Sequence, residues 1–359
     1  MRKPKIKVAI VYNEPEPEMY IKADTEEPKN LEFKTYFEVD KTTPMEEFDY
    51  IAKKLENVGF LAYTLNIKDN IDTMLNNLKK EKPDVIFNFV EIYKEDSRLE
   101  MNIAGLYELY GIPYTGAPAL SLANCQNKIL AKRLLRSGGI RIPPFFIVSV
   151  KSKRYPHKLK YPLLVKPAFE DASVGIENES IVNNGKQLRV RIEHVLKNFQ
   201  QPALVEEFIE GRELNVAVMG DKRLRVLPIS EIDFSSMPDH LHNIVSYQAK
   251  WDPHHESYHK TIPICPAPLP KNIEIKAKEI AFKAFKVLGC RDYARVDIRL
   301  SKDNKLYVLE VNPNPDITEG AGFMRSAEHS GMTYAQALKR IVRYALRRKD
   351  NIKSSIVPT

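Results

Sequence analysis

The chain lacks any run approaching the ~20 consecutive apolar residues that a membrane-spanning helix requires, so no membrane partner is expected. Cysteine is scarce: Cys125, Cys265 and Cys290 are odd in number, widely spaced and fit no metal-ligand pattern. That excludes a disulfide framework and points to a reducing, cytoplasmic setting. Behind the charged start Met1-Arg2-Lys3-Pro4-Lys5 comes a strand-like run rather than a signal-type apolar segment. Neither G-x-x-x-x-G-K-[ST] nor G-x-G-x-x-G occurs, which argues against P-loop and Rossmann nucleotide sites. Internal repeats and low-complexity tracts are missing as well.

What is present fits a globular enzyme of two or three domains: 359 residues, 43% hydrophobic and 28% charged. The net charge of +8 suits an anionic ligand such as a nucleotide. Its densest stretch, Lys339-Arg340 to Arg347-Arg348-Lys349, has no interleaved aromatics and reads as a solvated helix face, with no nucleic-acid partner.

Strand and helix signals alternate through the first 120 residues: Ile6–Tyr12, Met45–Val58, Phe60–Leu65, Ile71–Lys80 and Asp84–Val90. The alternation predicts a small parallel α/β domain over 1–120, interrupted by a polar loop or insertion at Glu14–Lys41. A central unit over 121–210 opens with a helix from Ser121 to Ser137, stopped by Gly138-Gly139. A third unit over 211–347 carries strands at Glu213–Met219, Arg225–Ile232, Tyr293–Leu300 and Lys305–Val311, with a polar loop at Pro238–Tyr258. Residues 348–359 read as a polar tail.

Tyr293–Val311 is the most informative segment. With Asp303-Asn304 as a two-residue turn, Asp297 faces Glu310 and Arg295 faces Asn312, all on one side of the hairpin. Facing carboxylates repel. Two readings are open: a hard divalent cation bridges them, or the face is solvated and Arg295 or Arg299 neutralises the acids. Val165-Lys166-Pro167, ahead of Glu170–Gly175 with Ser173, is a strand-terminal lysine before a small-residue loop. It can serve phosphate or simply be solvated. Glu206-Glu207 at a strand end can accept hydrogen bonds from an adenine amine and ribose hydroxyls, or can mark an acidic turn. His240, His242, His254, His255 and His259 crowd the Pro238–Tyr258 loop without metal-site spacing, so a solvated loop is the expectation.

In order and spacing, Gly111–Gly116, Asn127-Lys128, Val165–Gly175, Glu206–Glu213, Ala294–Asp297, Leu309–Pro313 and Gly331–Tyr334 resemble the D-alanine–D-alanine ligase branch of the ATP-grasp superfamily. The resemblance implies an α/β (α+β) three-domain ATP-grasp fold, with ATP between the central and C-terminal units, and a homodimer. By that likeness Lys128 and Lys166 serve the phosphates, with Ser173 in the covering loop. Glu206, Glu207 and Ile209 line the adenine, and Glu213 holds the ribose. Asp297, Glu310 and Asn312 match the ligands of two Mg²⁺ ions, for which Mn²⁺ can substitute. Arg295 matches the arginine at the acyl phosphate, and Lys250 lies on the loop that closes over the reacting groups. The implied chemistry is ATP-dependent joining of a small carboxylate to an amino-acid-like amine through an acyl phosphate. Another ATP-grasp activity, kinase or carboxylase, or a silent nucleotide-binding protein, are the alternatives.

The amino-acid half departs from the family pattern. Tyr12–Pro17 replaces the motif whose glutamate holds the first substrate's amine. Ala172 and Trp251 stand where the family has serine and tyrosine; Ala321 replaces a serine and Asp316 a glycine. D-Alanine is therefore not the expected preferred substrate. Glu91, Arg98 and Arg325 are acceptor-site candidates, or surface salt bridges.

Overall fold

The computed structural model describes residues 5–17 and 43–355, with side chains described as far as Arg348. Most of the predicted Glu14–Lys41 insertion lies outside the described residues.

Three sheets organise the described residues. The first is parallel, in the order β2–β1–β3, with β1 at Lys7–Tyr12, β2 at Leu61–Asn66 and β3 at Val85–Phe89. Helices α1 (Pro44–Asn57) and α2 (Ile71–Glu81) connect these strands. Thr43 starts α1 through a reciprocal capping box with Glu46, and Asn70 caps α2 through the Thr73 N–H. Beyond Lys7 the central strand is apolar and buried because both its faces are covered. Val8 and Ile10 pack into a core that includes Phe323 and the last helix residues Leu338, Ile341 and Ala345. The N-terminal sheet is thus sealed partly by the C-terminal end of the chain.

Helix α3 (Glu100–Leu109) leads to α4 (Ala119–Gln126) and α5 (Lys128–Ser137). The predicted continuous helix is broken at Asn127, which leaves helical geometry and accepts the Leu130 N–H with its side chain at 3.0 Å. The break makes Lys128 the first residue of a new helix.

The second sheet is antiparallel, ordered β4–β7–β5–β6, from Phe145–Val148, Ala203–Glu207, Leu163–Pro167 and Ile181–Val182. Helix α6 (Gly185–Asn198) packs on it through Leu188, Ile192 and Val195. The third sheet runs β11–β10–β8–β12–β13, with β9 paired to β8. Its strands are β8 (Gly211–Gly220), β9 (Leu224–Val226), β10 (Ser230–Asp233), β11 (Ile262–Ile264), β12 (Asp292–Ser301) and β13 (Leu306–Asn312). The run Arg225–Ile232 read as one strand is two, because β9 and β10 pair with opposite ends of β8. The polar loop at 238–258 carries two short helices, α7 (Tyr247–Trp251) and α8 (Glu256–Lys260). Helix α9 (Lys271–Val287) covers the third sheet, and α10 (Gly322–His329) and α11 (Tyr334–Ser355) end the chain.

Two expectations about the C-terminal end need correction. The helix continues to Ser355, so the tail expected at 348 begins as helix. The basic stretch is only partly solvated: Arg340, Arg343 and Arg347 are exposed, but Lys339 donates to the Val58 carbonyl at 2.8 Å. Arg348 forks onto buried Asp292 at 2.5 and 2.8 Å.

Candidate active site

The hairpin of β12 and β13 pairs Arg295 with Asn312 and Asp297 with Glu310, as expected, but by a different route. The Ser301 N–H meets the Lys305 carbonyl, so the loop has three residues, and Asn304 adopts a left-handed φ of 57°. Nearer the turn the register is offset by one residue, and an irregularity beyond Ile298 restores it before Asp297. Leu309 is the residue left over, a β-bulge beside Glu310.

On this face Asp297 is nearly buried, 5% exposed. Its two oxygens accept a bidentate pair from Arg295, both at 2.8 Å. Asn215 and Asn312 also donate to it, each at 2.8 Å. Burial works against the Arg295 charge, and Asp297 outweighs it and raises the guanidinium pKa. The face is therefore built rather than solvated, and Arg295 does neutralise Asp297. Asn312 spends its amide N–H₂ on Asp297, which leaves its carbonyl oxygen, like Glu310, as an available hard donor. Two carboxylates and an amide oxygen suit Mg²⁺ by type. Among the described residues no three His, Cys, Asp or Glu side chains gather as a metal cluster, the histidine-rich loop included.

Across from the hairpin lies a buried ion triad. Glu206 bridges Lys132, at 2.6 Å, and Lys166, at 2.8 Å. All three are at most 4% exposed. Burial alone would raise the Glu206 carboxyl, but Lys132 and Lys166 hold it well below its ordinary value. Burial also disfavours charge on Lys166, and Glu206 with Glu310 reverses that. Lys132, whose burial dominates, is lowered. The Glu206 carboxylate, expected at the adenine, is thus paired with two buried ammonium groups. Glu207 accepts the Lys160 N–H at 2.9 Å, and Ile209, like Glu207, is half-buried just past β7. Glu213 faces Arg299 at 3.1 Å. Burial raises the Glu213 carboxyl despite that partner. Arg299 is itself wedged between the Phe208 and Phe234 rings.

Lys166 precedes a loop with unusual backbone. Ala172 and Ser173 have φ of 50° and 65°, the left-handed region that non-glycine residues enter at a cost. At Gly175 (φ 73°) a Cβ would lie 2.6 Å from the Pro167 ring. The 238–258 segment is docked on this loop. Val245 carbonyl accepts the Ser173 hydroxyl at 2.8 Å, Tyr247 donates to Ile176 carbonyl at 2.7 Å, and Trp251 donates to Ala172 carbonyl at 2.9 Å. Lys250, exposed on α7, points its ammonium over the Trp251 ring. Lys128, at the start of α5, donates to the Glu170 carbonyl. A cation at a helix N-terminus opposes the dipole, so its position there is tolerated rather than favoured locally. Crowding works against the Asp171 charge, and Lys128, with Lys250 and Arg295, outweighs it and lowers that carboxyl. The three cations thus act on one neighbourhood.

A cavity of about 180 Å³ joins these parts. Glu91, Glu100, Lys128, Lys132, Asp171 and Glu310 all line it. Glu91 still meets solvent at the mouth. Crowding of the cleft, then Asp316 and Asp171, push its carboxyl up to about 7. Glu100 is held by Asn314 at 2.9 Å, and burial raises its carboxyl well above the ordinary value. Arg98 instead pairs with its own neighbour Asp96 at 2.7 Å on an exposed turn, and Arg325 donates to Gly320 carbonyl. Of the three acceptor-site candidates only Glu91 lines the cavity. Lys132 and Glu100 were not anticipated. Lys132 sits four residues after Lys128 on a stripe with Ala131 and Leu135, and a lysine on an apolar stripe is the signal that could have found it.

Comparison with known proteins bears on the family and the fold. Residues 134–343 match the family model described as "D-ala D-ala ligase C-terminus". A D-alanine–D-alanine ligase of Carboxydothermus hydrogenoformans is 32% identical over 310 residues, 83% of this chain and 92% of that protein. One from Syntrophobacter fumaroxidans is 33% identical over 251 residues, 68% and 75% of the two chains. An uncharacterized protein, y4sG, of Sinorhizobium fredii is 30% identical over 264 residues, 74% and 75%. A crystal structure of the Bacillus anthracis D-alanine–D-alanine ligase complexed with ATP superposes with a TM-score of 0.70 at 20% identity, covering 98% of this chain and all of that one. The chain belongs to the D-alanine–D-alanine ligase family of ATP-dependent ligases.

Proposed function

We propose that this ligase consumes ATP to convert a small carboxylate into an acyl phosphate and passes the acyl group to an amine other than D-alanine. The observation that carries the reading is the hairpin register: it sets Arg295, Asp297, Glu310 and Asn312 on one face, with buried Lys166 under the electrostatic influence of Glu310.

ATP lies between the second and third sheets in this reading. Lys128 and Lys166 meet the phosphates as cationic donors, and the strained loop at Ala172-Ser173 covers them. The Glu207–Ile209 segment borders the adenine. Glu213 accepts from the ribose, held in place by Arg299. Asp297, Glu310 and Asn312 would hold Mg²⁺, two ions or their Mn²⁺ equivalents, which would supply charge neutralisation at the transferring phosphoryl group. The substrate carboxylate attacks the γ-phosphorus in line, releasing ADP. The amine then attacks the acyl phosphate, with Arg295 set to stabilise the oxyanion and phosphate the leaving group. The docked 238–258 segment, bearing Lys250, keeps water from the intermediate.

The substrate side supports a divergent specificity. Asp316 and Ala321 stand where the family expects groups that receive a carboxylate, and Glu91 faces the same region electrostatically. Acidic walls favour a cationic amine over a second free carboxylate. The protein works in the cytoplasm, as a homodimer.

An ADP-release screen over amino acids, dipeptides and carboxylate-free amines tests the reading, with Asp297→Asn as the blank. ADP and phosphate release that needs both a carboxylate and an amine is expected. Release with one substrate alone points to a kinase or carboxylase, and efficient D-alanyl-D-alanine synthesis overturns the specificity.

A further inference from the structure

The Lys132–Glu206–Lys166 triad carries more charge than its structural role requires. Two cations share one carboxylate in a region at most 4% exposed. An ion pair of that kind seldom stabilises a fold relative to an apolar core, because desolvation consumes the attraction. The third charge only adds to that cost. Lys132 reaches a second polar group as well: its Nζ lies 3.5 Å from the Leu309 carbonyl. Leu309 is the bulged residue that brings Glu310 onto the face of Asp297. One ammonium therefore spans the second sheet, through Glu206, and the catalytic hairpin, through its bulge.

We infer that Lys132 is a positioning residue, which sets the Lys166 ammonium through Glu206 and the Glu310 carboxylate through Leu309, so that phosphate and metal are met in one geometry. With Lys132 in place, Glu206 Oε2 is occupied and Oε1 is aimed at Lys166. Without it, Glu206 can turn both oxygens onto Lys166 and draw that ammonium away from an incoming phosphate. The bulge also loses its buried donor, and β13 can relax by the one-residue slip the bulge suppresses. In this role Lys132 acts through Glu206 and the Leu309 carbonyl rather than as a phosphate donor.

The inference rests on the nucleotide reading above, and the experiment separates the two. Full-length protein, Lys132→Met and Lys132→Arg are compared by calorimetric MgATP binding, by the Mg²⁺ concentration for half-maximal activity, and by kcat and KM for ATP. No MgATP binding by the unsubstituted protein sinks the nucleotide reading. If it binds, Lys132→Met is expected to weaken MgATP about tenfold or more, the scale of a lost charge-assisted hydrogen bond. It should also raise the Mg²⁺ requirement, with Lys132→Arg restoring part of both. A purely structural lysine would lower the melting temperature and leave the affinity and Mg²⁺ requirement of the folded fraction unchanged, and that result overturns the inference. Should Lys132→Met fail to fold, Lys132→Arg decides: weakened MgATP binding supports the role, and unchanged binding refutes it.

Discussion

Trp251 donates its indole N–H to the Ala172 carbonyl oxygen at 2.9 Å. These are the two positions at which the resemblance expects a tyrosine and a serine, and in this chain they meet each other. The acceptor is a backbone carbonyl, offered by the left-handed Ala172. The contact ties the 238–258 segment to the loop that follows Lys166.

Trp251 is the chain's single tryptophan and is 52% exposed. Its fluorescence therefore reports this closure alone. Adding MgATP with the true substrates is expected to shift and intensify the emission as water leaves the ring. Trp251→Phe, losing one hydrogen bond worth about 1 kcal/mol, should raise KM for the substrates about fivefold with a smaller effect on kcat. An emission spectrum indifferent to saturating ligands would rule out the lid role.

Arg295 and Asp297 provide a second test. The fork of Arg295 covers both Asp297 oxygens, and lysine, a single point charge, cannot reproduce it. Arg295→Lys is expected to cut kcat by about 100-fold, the scale of losing a transition-state donor, while KM for ATP moves little. Equal losses in kcat and ATP affinity would make Arg295 a nucleotide-binding residue instead.

Much of this site could be read from the residues, and the hairpin shows where reading stopped. The facing pairs expected from alternation are present although the turn is one residue longer than two, because the bulge at Leu309 cancels the offset. Alternation alone fixes which face a side chain takes, but it cannot reveal a compensating bulge. The break at Asn127 is not legible locally, because Asn, Lys and Ile continue an acceptable helix and only the side-chain cap decides against it. The Lys132–Glu206 pairing joins residues 74 positions apart in sequence, beyond any local pattern. The pairing of Glu206, expected at the adenine, with two buried ammonium groups is invisible to local pattern for the same reason.

Glu91 supplies a pH signature. Its carboxyl titrates at about 7 rather than in the usual range. Below that pH it is neutral and attracts no cation; above it, the charge is present. If it receives a substrate's cationic group, kcat/KM for the amine should rise about tenfold per pH unit below 7 and level off above. Glu91→Gln should abolish that limb and leave KM for ATP as it was. A slope that survives Glu91→Gln would assign it to another group.

Asp292 and Arg348 test how the ends of the chain are joined. Asp292 is fully buried, takes the Gly116 N–H at 3.0 Å and both arms of Arg348. Arg348 also donates to the Tyr114 carbonyl at 2.6 Å. Burial raises the Asp292 carboxyl, and Arg348 only partly offsets this. An acid raised on folding is disfavoured in its charged form, so removing Arg348 must hurt most where Asp292 is ionised. Arg348→Ala is expected to cost about 3–5 kcal/mol at neutral pH, as for other broken buried pairs. The deficit should shrink as pH falls and Asp292 takes up a proton, leaving mainly the lost Tyr114 bond. Urea unfolding at neutral and mildly acidic pH measures both values. A deficit that is the same at each pH would mean that Arg348 stabilises the junction by packing and its carbonyl bond, and that Asp292 is already neutral in the native protein.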